Sequence, residues 1–154
     1  MYGERQRLLA RISRIESEAG KAASDELKSV LANHLAVLAS GYIEVSCREI
    51  IASFAKSRSD PRVARYVESR MSRFWSPGLE DILKLVEGFD DGVRQELADF
   101  AEGEIGDAVN SIVAIRHQIA HGAHNGTSLG VVSRYHTNVV KFVEKLEALF
   151  PPPP

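Results

Sequence analysis

The chain has 154 residues, of which 44% are hydrophobic, enough for one ordinary domain to bury a core without a disulfide or metal staple. Its 19 Lys and Arg against 21 Asp and Glu give a formal net charge of -2, which excludes neither a nucleic acid nor an acidic partner, because binding follows local potential. Cys47 is the only cysteine, so an intrachain disulfide is excluded and a reducing cytoplasm is the expected compartment.

Arginines interrupt every apolar run of the opening MYGERQRLLARISRIE. It therefore offers neither a signal-peptide core nor the roughly 20 apolar residues of a membrane span, and a soluble protein with no membrane association is expected. Leu8, Leu9, Ile12 and Ile15 recur at helical spacing and predict a first helix from Glu4 to Glu18, ended by Gly20. Ser24, with Leu27 behind it, reads as the N-cap of a long second helix reaching about Lys56. Val30, Leu31, Leu35, Leu38, Tyr42, Val45, Ile50 and Phe54 form its apolar stripe, weakened only by Gly41.

Pro61 suits the first turn of a third helix that runs through Val63, Tyr66, Val67 and Phe74 until Ser76-Pro77-Gly78 breaks the chain. A short fourth helix spans Leu79 to Glu87. Gly88 and Asp90 punctuate before Val93, Leu97 and Phe100, and Gly103 and Gly106 mark a weakening or kink ahead of Ile105, Val109, Ile112, Val113, Ile115 and Ile119. Gly122 stops that helix, a polar loop follows to Gly126, and Thr127 or Ser128 caps a last helix whose buried face is Val131, Val132, Tyr135, Val139, Val140, Phe142, Val143, Leu146 and Leu149. No alternating strand pattern and no repeat competes with this all-α reading of about five to six helices. One domain is expected over residues 1–150, and Pro151 to Pro154, lacking backbone donors, form an extended tail.

Charge is unevenly spread along the chain. From Lys56 to Arg73 six basic residues face only Asp60 and Glu68, a net of +4, whereas Glu80 to Asp107 carries a net of -8. Such asymmetry gives a polyanion an attractive end to approach, although solvated helix faces produce the same pattern.

The chemistry concentrates in NSIVAIRHQIAHG, from Asn110 to Gly122. Arg116 and His121 project about 140° apart around a helix and about 7.5 Å apart along it, so they flank a common substrate rather than touch. His117 and His121 share one face, one turn apart. Arginine offers a planar fork of donors to phosphate oxygens and histidine moves protons, which together suit attack of an RNA 2′-hydroxyl on the adjacent phosphodiester without a metal or cofactor. Two bland readings compete. The three side chains can be ordinary helix-end charges, or His117 and His121 can chelate an ion with His124 joining from the loop, although no Glu follows His117 as a zinc hydrolase motif requires.

On the second helix Glu44 and Arg48 are spaced as a helix-stabilising ion pair; alternatively one of them reaches the Arg116 and His121 helix and orients its side chains. Asn110 is a candidate for a similar supporting role. His34 and His136 read as surface or satisfied core histidines.

Arg116-His117-Gln118-Ile119-Ala120-His121-Gly122 resembles the signature of the HEPN superfamily, an Arg, four to six residues, then a His near a helix end, with a polar residue often following the Arg. The wider run NSIVAIRHQIAHG, with YIEVSCREII and SRSDPRVARYVESRMSRF, is similar to the RiboL-PSP branch, and the likeness covers roughly Val30 to Leu149. The resemblance implies an up-and-down helical bundle, often dimeric, in which two Arg/His motifs meet across the interface as a metal-independent ribonuclease with Arg116 and His121 as the catalytic pair and His117 assisting. It also implies a toxin or defence effector, held by an antitoxin or other partner protein. Other members only bind RNA or assemble, so a noncatalytic RNA- or protein-binding module, or a regulatory subunit of a nucleotidyltransferase-like partner, is the alternative.

Overall fold

The computed structural model describes residues 3–22, 24–123 and 125–154 of the chain, and among them every regular element is a helix. These are α1 (Glu4–Gly20), α2 (Asp25–Arg58), α3 (Pro61–Met71), α4 (Leu79–Glu87), α5 (Asp91–Ala101), α6 (Glu104–Ala120) and α7 (Leu129–Leu149). The all-α expectation holds. The count is seven rather than five to six because Gly103, at φ 83°, turns the expected kink into a full break between α5 and α6. A left-handed φ is cheap only without a Cβ.

Local signals set the other boundaries, and Asp60, which the sequence did not single out, joins the expected caps. Ser24, Asp60, Asp90 and Ser128 each accept a backbone N–H of the first turn that follows, and Pro61 opens α3. Ser128, not Thr127, is the last cap. The helix α3 stops at Met71, short of the expected Phe74, and Ser72 to Gly78 cross over as a turn.

The long helix α2 is the axis of the bundle, packing against α1, α3, α6 and α7, while α4 and α5 close one flank. Leu35, Ile43 and Ile51 from α2 meet Ile12, Ile82, Leu97, Ile112, Phe142 and Leu146 in one continuous core. By length and hydropathy α2 would suffice to cross a membrane, but 61% of its most apolar window is buried among the neighbouring helices, as in a core helix. At the far end Phe54, Phe89 and Phe150 pack edge to face with centroids 5.1 to 6.3 Å apart, which pins the end of α7 before the proline run.

Two expectations about the core need correction. Val30, placed on the buried stripe of α2, is 58% exposed, and Val63 and Tyr66 of α3 are also exposed. The first turns of α2 carry apolar side chains on more than one face, so spacing could not choose among them. The helix α3 lies on α2 as its main neighbour, so only its Ala64, Val67 and Met71 side is covered.

Candidate functional site

The helix α6 begins immediately after Gly103 and passes close over α5: a Cβ at Gly106 would stand 2.4 Å from the Ala101 carbonyl oxygen and 2.8 Å from Leu79 Cδ2. Its Val109, Ile112, Val113 and Ile115 are buried in the bundle. On the other side Asn110, Ala114, His117 and His121 follow at steps of four, three and four, so they form one exposed stripe running to the helix end. Arg116 lies about 140° around the helix from His121, in register with Val109 and Ile112, and is half-buried.

The C-terminus of α6 is closed by a Schellman motif. Gly122, at φ 72°, donates its N–H to the Ile119 carbonyl, and Ala123 donates to the Gln118 carbonyl. Gly122 therefore occupies C′ as expected and His121 is the C-cap, its N–H bonded to the His117 carbonyl at 3.1 Å. Beyond it Asn125, which the sequence reading passed over, is buried; it accepts the Thr127 N–H at 2.9 Å and donates to Gln118 Oε1. The Asn125-Gly126-Thr127 run is an Asx-turn signal that could have revealed it. The motif thus sits on a helix end and loop fixed by backbone geometry.

His117 and His121 are exposed, and among the described residues no carboxylate lies within 4.0 Å of Arg116, His117 or His121. A groove of about 680 Å³ between α6 and α7 is lined by Glu104, Asp107, Asn110, Ser111, Ala114, Arg134, Tyr135 and Asn138. Arg116, His117 and His121 are not among its walls, and the acids at its α6 end repel phosphate. The motif residues stand at the surface of the chain. Among the described residues no three metal-ligating side chains cluster, and His124, the third partner considered for an ion, lies outside them.

Glu44 and Arg48 form the expected helix pair at 2.9 Å, but the alternative in which one of them reaches toward Arg116 is not what they do. Both bind the turn after α3. Arg48 donates from Nε and Nη2 to the Phe74 carbonyl at 3.2 and 3.1 Å, its guanidinium lies 4.3 Å from the Trp75 ring centroid, and Glu44 accepts the Ser76 N–H. The pair thus satisfies one carbonyl and one N–H of that turn beside α2. Asn110 likewise caps α4: its Oδ1 accepts the Leu79 N–H at 3.0 Å. These three residues brace the bundle around the 72–79 turn.

Cys47 and His136 are buried titratable groups of other helices, outside the motif. Burial, with Glu44 adding to it, pushes the Cys47 thiol up to about 12, so it is a small core hydrophobe as expected. His136 is buried against Tyr42 with ring centroids 5.8 Å apart, and among the described residues its Nδ1 has no hydrogen-bond partner. It is a core histidine with one ring nitrogen unpaired among the described residues; burial holds its pKa below the usual range, with Glu16 opposing.

No curated protein and no solved structure matches the chain. The sequence profile of the RiboL-PSP-HEPN domain matches residues 2–150, nearly the whole chain and the whole of the helical bundle described above, and the protein belongs to the RiboL-PSP-HEPN family.

Proposed function

We propose that the protein is an RNA endonuclease of the HEPN type that needs no metal. The observation that carries this reading is the end of α6, where Arg116 on one side and His117 and His121 on the other flank a Schellman-capped terminus with no carboxylate engaging them among the described residues. Arg116 holds the non-bridging phosphate oxygens and stabilises the charge that develops on phosphorus. An imidazole removes the 2′-hydroxyl proton, the 2′-oxygen bonds to phosphorus, and the bond to the 5′-oxygen breaks as that oxygen gains a proton. The products are a 2′,3′-cyclic phosphate and a 5′-hydroxyl.

A homodimer completes the site in this reading. Leu27, Val30, His34, Val37 and Gly41 fall within about 80° of one another around α2, and Leu27, Val30 and Val37 are exposed. The start of α2 shares a depression with residues 126–130, the loop after α6 and the first residues of α7, so the Leu27 end of this apolar ridge lies at the motif's end of the bundle. A second copy packed on it would bring two motifs together, one imidazole to take a proton and one to give it. A cytoplasmic toxin or defence effector restrained by a partner protein is drawn from the family resemblance.

The apolar ridge also favours a second reading, a noncatalytic dimeric module that binds RNA or protein through the same end, including a subunit that regulates a nucleotidyltransferase-like partner. One incubation separates the two. Structured and unstructured RNAs are held with the protein in excess chelator and their ends analysed. New 2′,3′-cyclic phosphate termini that vanish with Arg116→Ala and His121→Ala support the nuclease; RNA left intact while binding is lost with Arg116→Ala supports the module.

A further inference from the structure

Trp75 is the only tryptophan of the chain and is 68% exposed, an unusual place for the largest apolar side chain. It is also held firmly. Arg48 lies under one face of the indole at 4.3 Å and bonds the carbonyl of the preceding residue, Phe74, while Glu44 fixes the amide of the following residue, Ser76. Ser76 has φ 41°, a conformation that a residue with a Cβ adopts only under constraint, so the turn is shaped to present the ring. One face of the indole is covered by the guanidinium and the other is left to solvent.

The surface leading to Trp75 is basic and aromatic. Arg62, Arg65, Tyr66 and Arg70 project from one side of α3 within about 140° of arc, all exposed, and Arg73 follows in the turn. Tyr66 is 65% exposed. Arg62 shares Asp60 at 3.2 Å, but among the described residues no carboxylate lies within 4.0 Å of Arg65, Arg70 or Arg73. The opposite side of α3, with Val67 and Met71, is already spent on α2, and the exposed Val63 and Tyr66 are too few to make an apolar face for a lipid surface. A row of like-charged arginines ending in a clamped, half-covered aromatic ring fits a chain that carries phosphates at intervals and flat bases between them.

The geometry points to Trp75 as a base-stacking platform for single-stranded RNA, with Arg62, Arg65, Arg70 and Arg73 tracking its phosphates. This site rests on the reading of the protein as RNA-directed and is separate from Arg116 and His121. It specifies the substrate class: an unpaired segment, because a duplex keeps its bases stacked inside and offers no free face to the indole.

Because Trp75 is the sole tryptophan, its emission reports the platform directly. The full chain is titrated with an oligouridylate of about ten nucleotides carrying 2′-O-methyl groups, which blocks the attacking oxygen and separates binding from cleavage. Saturable quenching that weakens with salt is expected. By anisotropy of the dye-labelled oligonucleotide, Trp75→Ala should lower affinity roughly five- to a hundredfold, Trp75→Phe should retain most of it, and Arg65→Glu with Arg70→Glu should weaken binding and flatten its salt dependence. Quenching that persists in His121→Ala, or in a wild-type protein that fails to cut RNA, upholds the platform whatever becomes of the nuclease. Cleavage and binding unchanged in Trp75→Ala overturn it. So does emission that ignores the oligonucleotide and shifts only with protein concentration, which would make this face a contact between copies.

Discussion

Glu44 of α2 reaches across to the Ser76 amide, holding a left-handed residue in place with one carboxylate oxygen while the other lies 2.9 Å from the Arg48 guanidinium. Both side chains are mostly covered, so neither partner is easily replaced by water. Glu44→Ala should cost about 1 to 3 kcal/mol, since it leaves the Ser76 donor without an acceptor and the Arg48 guanidinium with the Phe74 carbonyl but no carboxylate. Glu44→Gln keeps an acceptor and should lose less. Urea denaturation of the two variants checks the order, and equal stability would show that the turn is held by something else.

Gly106 lets α6 pass over α5. A methyl group there would meet the Ala101 carbonyl oxygen at 2.4 Å, and a backbone atom cannot swing away as a side-chain tip can. Gly106→Ala should destabilise the fold by about 1 to 3 kcal/mol despite alanine's better helix propensity. A thermal melt at or above the wild-type midpoint would contradict this crossing.

His136 makes stability depend on pH. Burial lowers its pKa from the ordinary 6.5, with Glu16 acting in the opposite sense, so protonation favours the unfolded chain. Its contribution is intact above about pH 6.5 and is lost as pH falls toward the depressed folded value. Unfolding free energies at about pH 7.5 and 5.5 should differ, and His136→Phe should shrink that difference. An unchanged difference in the variant would assign the acid sensitivity to other groups.

The ridge of Leu27, Val30 and Val37 should be an interface between two copies. Val30 is 58% exposed in the single chain, so Val30→Glu should leave the fold within about 0.5 kcal/mol of wild type while splitting a dimer into monomers. Sedimentation equilibrium reads both states. A wild-type monomer, or a variant that still dimerises, would place the interface elsewhere.

Much of this architecture was legible in the residues. Ser24, Pro61 and Gly122 announced their helix ends because capping and first-turn preferences are local chemistry, and the Arg116 to His121 spacing stood out because three polar side chains end an otherwise apolar helix. Tertiary relationships were less visible. Spacing placed Glu44 and Arg48 four apart but could not say that the turn at Phe74 to Ser76 would claim them, nor that Asn110 would cap α4. Periodicity likewise could not expose Val30 or break the chain at Gly103, since the first depends on which neighbour is absent and the second on a φ that a pattern does not carry.

The most direct test is cleavage of single-stranded RNA in excess chelator by the wild type, Arg116→Ala and His121→Ala, with each protein's fold verified by circular dichroism. The proposed mechanism predicts 2′,3′-cyclic phosphate and 5′-hydroxyl ends from the wild type and a loss of roughly 10²- to 10⁴-fold in rate for each variant. Intact RNA with the wild type, or equal cutting by His121→Ala, would contradict it.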